Sequence, residues 1–291
     1  MHKIHQHTYY MQRFYTLFWV VLMLSVATPS MAQIVINEAD EIMNADSVRR
    51  ELDSRPYFGL YKDNYFTVGT SLKPAPSKTN SDVKFQVSIA QRLTKSVLPF
   101  HTYLFLFYSQ KTLWNVFENS MPMRDLNFNP GIGLSKHLIV KNRVVGKATL
   151  LVEHESNGRD SLASRSWNKI SLSAAMYIDP HFMVHGKVWI PIVDGENNKD
   201  ILKYSGIFQA GIQGLTTNKR WVFDLTYVKR KGWNLSGNIT ANLGFRLFKN
   251  HNQFLMLHYY NGYGECLLDY KQYHNRLRIG LLIRPDMFSD F

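Results

Sequence analysis

From about Tyr65 onward this chain is written in a period of two: segments about ten residues long alternate apolar and polar, then break at clusters of Gly, Asn, Asp or Lys. Successive strand side chains point to opposite faces, so the pattern describes strands with two unlike surroundings. Val83, Phe85, Val87 and Ile89 stand against Lys84, Gln86 and Ser88. Trp221, Phe223, Leu225 and Tyr227 stand against Asp224 and Thr226. The runs Ile239-Ala241-Leu243-Phe245-Leu247 and Leu277-Ile279-Leu281-Ile283 repeat the arrangement against Asn238, Thr240, Asn242, Arg246 and against Arg276, Arg278. No stretch of about 20 apolar residues lies beyond the first thirty residues, which excludes a helical membrane bundle.

A soluble sandwich also alternates, so composition is needed to choose. Aromatic residues make up 14% of the chain and cluster near the ends of the alternating segments. Such placement fits the aromatic girdles of a membrane barrel better than the polar outer faces of a sandwich, with aromatics of a core as the other reading. The expected fold is therefore all-β, a transmembrane antiparallel β-barrel of about twelve strands, an even number as bacterial barrels require. The predicted spans are Tyr65–Lys73, Asp82–Arg92, His101–Val116, Asn127–Ile139, Val144–Asn157, Arg165–Ile178, Phe182–Val193, Tyr204–Thr217, Trp221–Lys229, Gly237–Phe248, Phe254–Leu267 and Tyr273–Ile283.

The N-terminus reads as an export signal. Lys3 and Arg13 give a basic start, Phe14 to Val26 an apolar core short for a bilayer span, and Ser30-Met31-Ala32 a small-x-small cleavage site. An uncleaved anchor would need a longer apolar run than the break at Thr28-Pro29-Ser30 permits. The expected organisation is a signal peptide over 1–32, a polar, acidic periplasmic lead-in over 33–58 and the barrel over 59–291. The closing Met287-Phe288 and Phe291 are similar to the terminal aromatic recognition tail of outer-membrane barrels. A net charge of +12 invites a nucleic-acid reading, but the basic residues are scattered singly among strands and accompany no nucleic-acid motif, so no nucleic acid is expected as a partner. The single Cys266 forms no internal disulfide and reads as a small apolar filler.

Chemistry concentrates in His154-Glu155-Ser156-Asn157-Gly158-Arg159 and Ser164-Arg165-Ser166-Trp167-Asn168. In the strand ending at Asn157, His154 and Ser156 continue the apolar row Val144, Gly146, Ala148, Leu150, Val152, so they face lipid. In the next strand Asn168 shares the row of Ile170, Leu172, Ala174 and Met176 and also faces outward. A hairpin turning near Ser161 sets His154 opposite Asn168, with Ser156 about 7 Å along the same face. A hydroxyl, an imidazole and an amide so placed supply a nucleophile, a base and a group that fixes the base's tautomer. The bland reading of each piece is a turn for Ser-Asn-Gly, a rim histidine, and girdle plus loop for Arg-Ser-Trp-Asn. Neither a second zincin histidine nor the first glycine of a nucleophile elbow is present.

The two runs closely resemble the active-site hairpin of the outer membrane phospholipase A family. The likeness continues through Val83-Lys84-Phe85-Gln86, Tyr108-Ser109-Gln110-Lys111, Lys203-Tyr204-Ser205-Gly206, Gly262-Tyr263-Gly264-Glu265 and Leu267-Leu268-Asp269-Tyr270, leaving out only the export signal and lead-in. The resemblance implies a twelve-stranded, calcium-dependent (Ca2+) enzyme that hydrolyses acyl esters of phospholipids and lysophospholipids and is active as a homodimer in a Gram-negative outer membrane. Ser156 would be the nucleophile, His154 the base, Asn168 its orienter, and the Gly158 backbone part of the oxyanion hole. Calcium would be held by oxygens at Arg159 and Ser164, with Ser120 of the partner subunit completing the site, and Gln110 would lie in the dimer contact. Its alternative position is the lumen, and the mixed pattern of that strand leaves the two open. One departure is that the family usually carries an acidic residue two positions after the arginine, where this chain has Ser161, with Asp160 one place earlier. The competing class is a passive barrel, a pore or adhesin, with His154 and Ser156 as rim residues. A catalytically dead relative would not be expected to keep all three polar groups.

Overall fold

The structure, a computed structural model, describes residues 44–285 apart from 194 and 250, together with residue 290. The expected export signal and the terminal Met287, Phe288 and Phe291 fall outside the described residues.

A short strand, β1 (Phe58–Leu60), leads into twelve long ones that close on themselves. The long strands are β2 (Asn64–Ser71), β3 (Ser81–Arg92), β4 (Tyr103–Trp114), β5 (Met123–Val140), β6 (Arg143–Ser156), β7 (Ser166–Asp179), β8 (Phe182–Ile192), β9 (Phe208–Leu215), β10 (Trp221–Lys229), β11 (Gly237–Arg246), β12 (Gln253–Gly262) and β13 (His274–Ile283). Each pairs antiparallel with its neighbours in sequence, and β13 pairs with β2 to complete the ring. β1 lies before β2 along the same edge of β3, so the two are one stave interrupted at Tyr61 to Asp63. The interruption is patched on β3: the Tyr61 N–H donates to the Ser88 carbonyl at 3.2 Å, and the Asn64 amide donates to the same oxygen at 3.2 Å. A closed ring leaves no unpaired sheet edge, which hydrocarbon would not tolerate.

The alternation reads out as expected. Leu150 and Val152 on β6, Ile170 and Leu172 on β7, and Ile279 and Leu281 on β13 are exposed on the outer wall, while Thr149, Glu153, Arg276 and Arg278 are buried inside it. The interior charges are paired. Arg278 donates to Asp82 at 2.7 Å and to Glu265 at 2.6 Å, and Lys84 sits 3.1 Å from Glu265. Unpairing a buried charge of this kind typically costs about 3–5 kcal/mol, so the lumen network fixes the barrel from within.

The two mouths differ. One carries tight turns at Lys141-Asn142, both with positive φ (48° and 61°), and at Pro180-His181. Two positive φ values match the twist of the flanking strands. Here the described part of the segment read as a polar, acidic lead-in includes a helix, α1 (Ala45–Ser54), capped by Asn44, whose side chain accepts from the Ser47 N–H at 2.8 Å. Its Val48 and Leu52 pack on Tyr103, and Arg92 donates to the carbonyls of Leu52, Asp53 and Arg55 at its C-terminal end. The opposite mouth carries longer loops. Residues 195–207 include a one-turn helix, α2 (Leu202–Ser205), and residues 263–273 fold inward, burying Glu265, Cys266, Leu267 and Tyr270. Trp167, Ile201, Leu267 and Tyr270 form an apolar plug at that mouth, directly inside the β6–β7 hairpin. Cys266 is buried in the same loop, where burial pushes its thiol well above the usual range and keeps it protonated.

Candidate active site

The β6–β7 hairpin pairs His154 with Asn168 and Ser156 with Ser166. All four belong to the outward row, because the alternate residues Glu153, Glu155, Trp167 and Lys169 turn into the lumen. His154 Nδ1 donates to Asn168 Oδ1 at 2.8 Å. An amide oxygen can only accept, so Nδ1 carries the ring proton and Nε2 keeps its lone pair. Ser156 lies two residues further along the same face, about 7 Å from His154 between Cα atoms. Exposed Val152, Ile170, Ile190 and Ile192 surround the three polar groups, which places them on an apolar wall.

The hairpin is held from its inner side. Glu155 accepts from the Trp167 indole at 3.0 Å and from Lys169 at 2.9 Å, and Glu153 pairs with Lys187 at 2.7 Å. Asn157 is buried and staples the loop, accepting from the Arg165 N–H at 2.9 Å and donating to the Ala163 carbonyl at 2.9 Å. From the next loop, Asn198 donates to the Ser166 carbonyl at 2.8 Å and Asn197 to the Ser161 carbonyl at 2.9 Å.

Sequence reading missed the supports from Asn129, Asn157 and Asn198, and the first of them left a signal. Pro130 of β5 falls opposite His154 by continuity of the register and has no N–H to give the ladder. The Asn129 side chain supplies the missing donor, reaching the His154 carbonyl at 2.8 Å. The available signal was a proline inside an otherwise central strand. The roles of Asn157 and Asn198 carried no comparable signal.

Gly158 follows the hairpin strand with φ +60°, and a Cβ there would stand 2.9 Å from Cε2 of Phe128. Both facts favour glycine. Gly158→Ala is expected to lower turnover at least about tenfold while costing only about 1–2 kcal/mol of stability, since strain confined to one loop residue is of that size. Parallel kinetics and urea unfolding check this.

Of the other predicted positions, Arg159 is fastened by its side chain, donating to the Arg124 carbonyl at 2.5 Å with Asp125 at 3.9 Å. Ser164 closes the one-turn Ser161–Ala163 helix, its N–H reaching the Ser161 carbonyl at 3.1 Å. Asp160 is exposed beside it, and no group of three or more acidic, His or Cys side chains gathers as a metal site among the described residues. The hard oxygens of this loop, the Ser164 hydroxyl and the Arg159 carbonyl, receive no hydrogen bond among the described residues. Their chemistry suits calcium, with one nearby carboxylate rather than several. Ser120 is exposed with φ +65° in the loop between β4 and β5, at the same mouth. Gln110 pairs with Phe128, which pairs with Ser156, so all three lie in one lateral row across β4, β5 and β6. Gln110 therefore faces outward, with its amide oxygen accepting from the Tyr108 hydroxyl at 2.9 Å.

Comparison with known proteins agrees with this architecture. The family described as Phospholipase A1 matches residues 57–283. Phospholipase A1 of Proteus vulgaris is 30% identical over 246 residues, 78% of this chain and 81% of the relative. Phospholipase A1 of Escherichia coli K12 is 30% identical over 224 residues, 74% of this chain and 73% of the relative. The crystal structure of a Salmonella typhi outer membrane phospholipase dimer with bound calcium superposes with a TM-score of 0.71 at 26% identity, covering 82% of this chain and 97% of that one. With the family matched across the whole barrel, the chain belongs to the phospholipase A1 family, the ester-hydrolysing β-barrels of the Gram-negative outer membrane.

Proposed function

We propose that this outer-membrane phospholipase cleaves acyl esters of phospholipids and lysophospholipids at the lipid-facing hairpin, with Ser156 as nucleophile, His154 as base and Asn168 as its orienter. The observation that carries the reading is the His154–Asn168 hydrogen bond on an otherwise apolar outer wall, with Ser156 on the same face. Nothing in a passive pore calls for a tautomer-fixed imidazole turned toward lipid.

In this reading the Ser156 hydroxyl attacks the ester carbonyl as its proton passes to His154 Nε2. The tetrahedral oxyanion is met by backbone N–H groups beginning at Gly158. Its collapse expels the glycerol oxygen, which takes the proton back from His154 and leaves an acyl ester on Ser156. Water, deprotonated by His154, then attacks that ester, and the Ser156 oxygen leaves with the proton returned by His154 as the fatty acid is released. Arg159 and Ser164, with Ser120 of the partner subunit, would hold calcium. When bound, it supplies positive charge beside the developing oxyanion.

Dimerisation follows from the same surface. An isolated barrel offers its site only hydrocarbon, whereas two barrels side by side make a walled groove for an acyl chain. Gln110, about 10 Å from Ser156 across two strand spacings, would serve that contact, and an amide in hydrocarbon gains by pairing with its mate. The relative from Salmonella typhi is itself described as a dimer with bound calcium.

Fatty-acid release from defined phospholipid micelles tests the proposal. The purified barrel should release fatty acid in calcium, whereas a passive barrel would release none. Asn168→Ala should reduce turnover about 10- to 100-fold, less than His154→Ala, because a neutral amide orients the imidazole but supports its charge weakly. Equal losses at the two positions would contradict this division of roles.

A further inference from the structure

The inner side of the same wall holds a second feature. A cavity of about 230 Å³ lies in the lumen, bounded by residues that alternate with the catalytic ones: Glu153 and Glu155 of β6, and Trp167 and Lys169 of β7. That is many times the ~10–15 Å³ a single water requires. Four lysines line it, Lys62, Lys111, Lys169 and Lys187, against the two glutamates, which leaves an excess of two positive charges.

The pairing shows which charges are left over. Lys187 lies 2.7 Å from Glu153, and Lys169 lies 2.9 Å from Glu155. These two bridges use both carboxylates. Lys62 and Lys111 have no carboxylate within 4 Å among the described residues; the Lys62 ammonium instead lies 5.5 Å from the Tyr61 ring centre. The indole N–H of Trp189, also in the lining, is buried without an acceptor among the described residues. Two uncompensated ammonium groups and an idle donor around one polar cavity favour an anion with several oxygens, and low-dielectric walls strengthen that preference.

We infer that the lumen of this barrel is a binding site for a small oxyanion of the phosphate class, held between Lys62 and Lys111. The barrel wall separates it from the outward hairpin, so it is a second site and does not depend on the catalytic reading. The same chemistry could come from free phosphate or from the phosphodiester of a lipid headgroup. A headgroup tethered to acyl chains cannot pass the wall, so free phosphate is the expected ligand.

Calorimetric titration of inorganic phosphate into the whole barrel in non-ionic detergent tests this. The inference expects one phosphate per barrel, affinity lowered at least tenfold in Lys62→Gln/Lys111→Gln, and unchanged affinity in Lys219→Gln, which alters an exposed turn lysine. Absence of binding, or equal binding by the double variant, would overturn it. Soluble glycerophosphocholine should bind at least tenfold more weakly than phosphate, and the reverse order would overturn the choice of ligand. A second measurement stands if the double variant fails to refold. In phosphate-free, low-salt buffer Lys111→Gln should unfold at the same or a higher temperature than the parent, because it breaks no ion pair and relieves repulsion. A marked loss of stability would make Lys111 structural and end the inference.

Discussion

Replacing Ser156 by alanine should lower kcat/KM for phospholipid hydrolysis by about 10⁴-fold or more and leave the barrel folded. The chemical reason is that Ser156 is the hydroxyl placed two residues along the same strand and face from the base of fixed tautomer. Ser166 pairs with Ser156 across the hairpin, but His154 is in register with Asn168 rather than with it. The fold should survive because the Ser156 side chain is half-buried on the outer wall and makes no hydrogen bond into the scaffold among the described residues. Refolding yield and unfolding midpoint should match the parent. His154→Ala should cost about as much, and the double variant little more than either single one, since the two act as one unit. If the losses multiplied, the two side chains would be working independently, and the proposed proton transfer would be wrong.

Calcium removal carries the second large effect. Chelation should reduce turnover by about 10²–10³-fold, the range associated with losing one preorganised oxyanion donor, without unfolding the protein. Strand pairing, the lumen ion pairs and the mouth plug are made between protein groups, so the fold is expected to survive chelation. The loop offers serine and carbonyl oxygens with only Asp160 as a nearby carboxylate, a set expected to bind weakly, at about 10⁻⁴–10⁻³ M. Ser164→Ala should therefore raise the calcium concentration needed for half-maximal turnover severalfold while leaving the rate at saturating calcium close to the parent's. Turnover indifferent to chelator would remove Arg159, Ser164 and Ser120 of the partner subunit from the proposal.

The barrel was readable because two solvents, lipid and lumen, each impose a side-chain chemistry on alternate residues. β10 spans Trp221–Lys229 in both the sequence reading and the structure. The misses occur where that pressure stops. β12 ends at Gly262, not Leu267, because Gly262 and Gly264 take φ of +147° and +69° and turn Glu265 and Cys266 into the mouth. β9 starts at Phe208 rather than Tyr204, since Leu202–Ser205 forms a helical turn over the plug. The helix Ala45–Ser54 was passed over because the segment is mostly polar and charged, although Asn44 offers a cap and Val48 and Leu52 stand four apart, the spacing of one helical face.

In the site, the pairing of His154 with Asn168 was legible from parity and hairpin length alone. The face of Gln110 was not, and it took the register with Val87 and Phe128 to place it outward. The supports from Asn157 and Asn198 were invisible for another reason, and that from Asn129 was signalled only by the neighbouring Pro130. Each is a side chain satisfying a backbone group set by folding, and local sequence does not specify such partners.

The most direct measurement is covalent trapping. An alkyl fluorophosphonate should label the parent in calcium at one residue, Ser156, found by peptide mass analysis, and should fail to label His154→Ala at a comparable rate. Labelling at another serine, or equal labelling with and without His154, would contradict an activated hydroxyl on the outer wall.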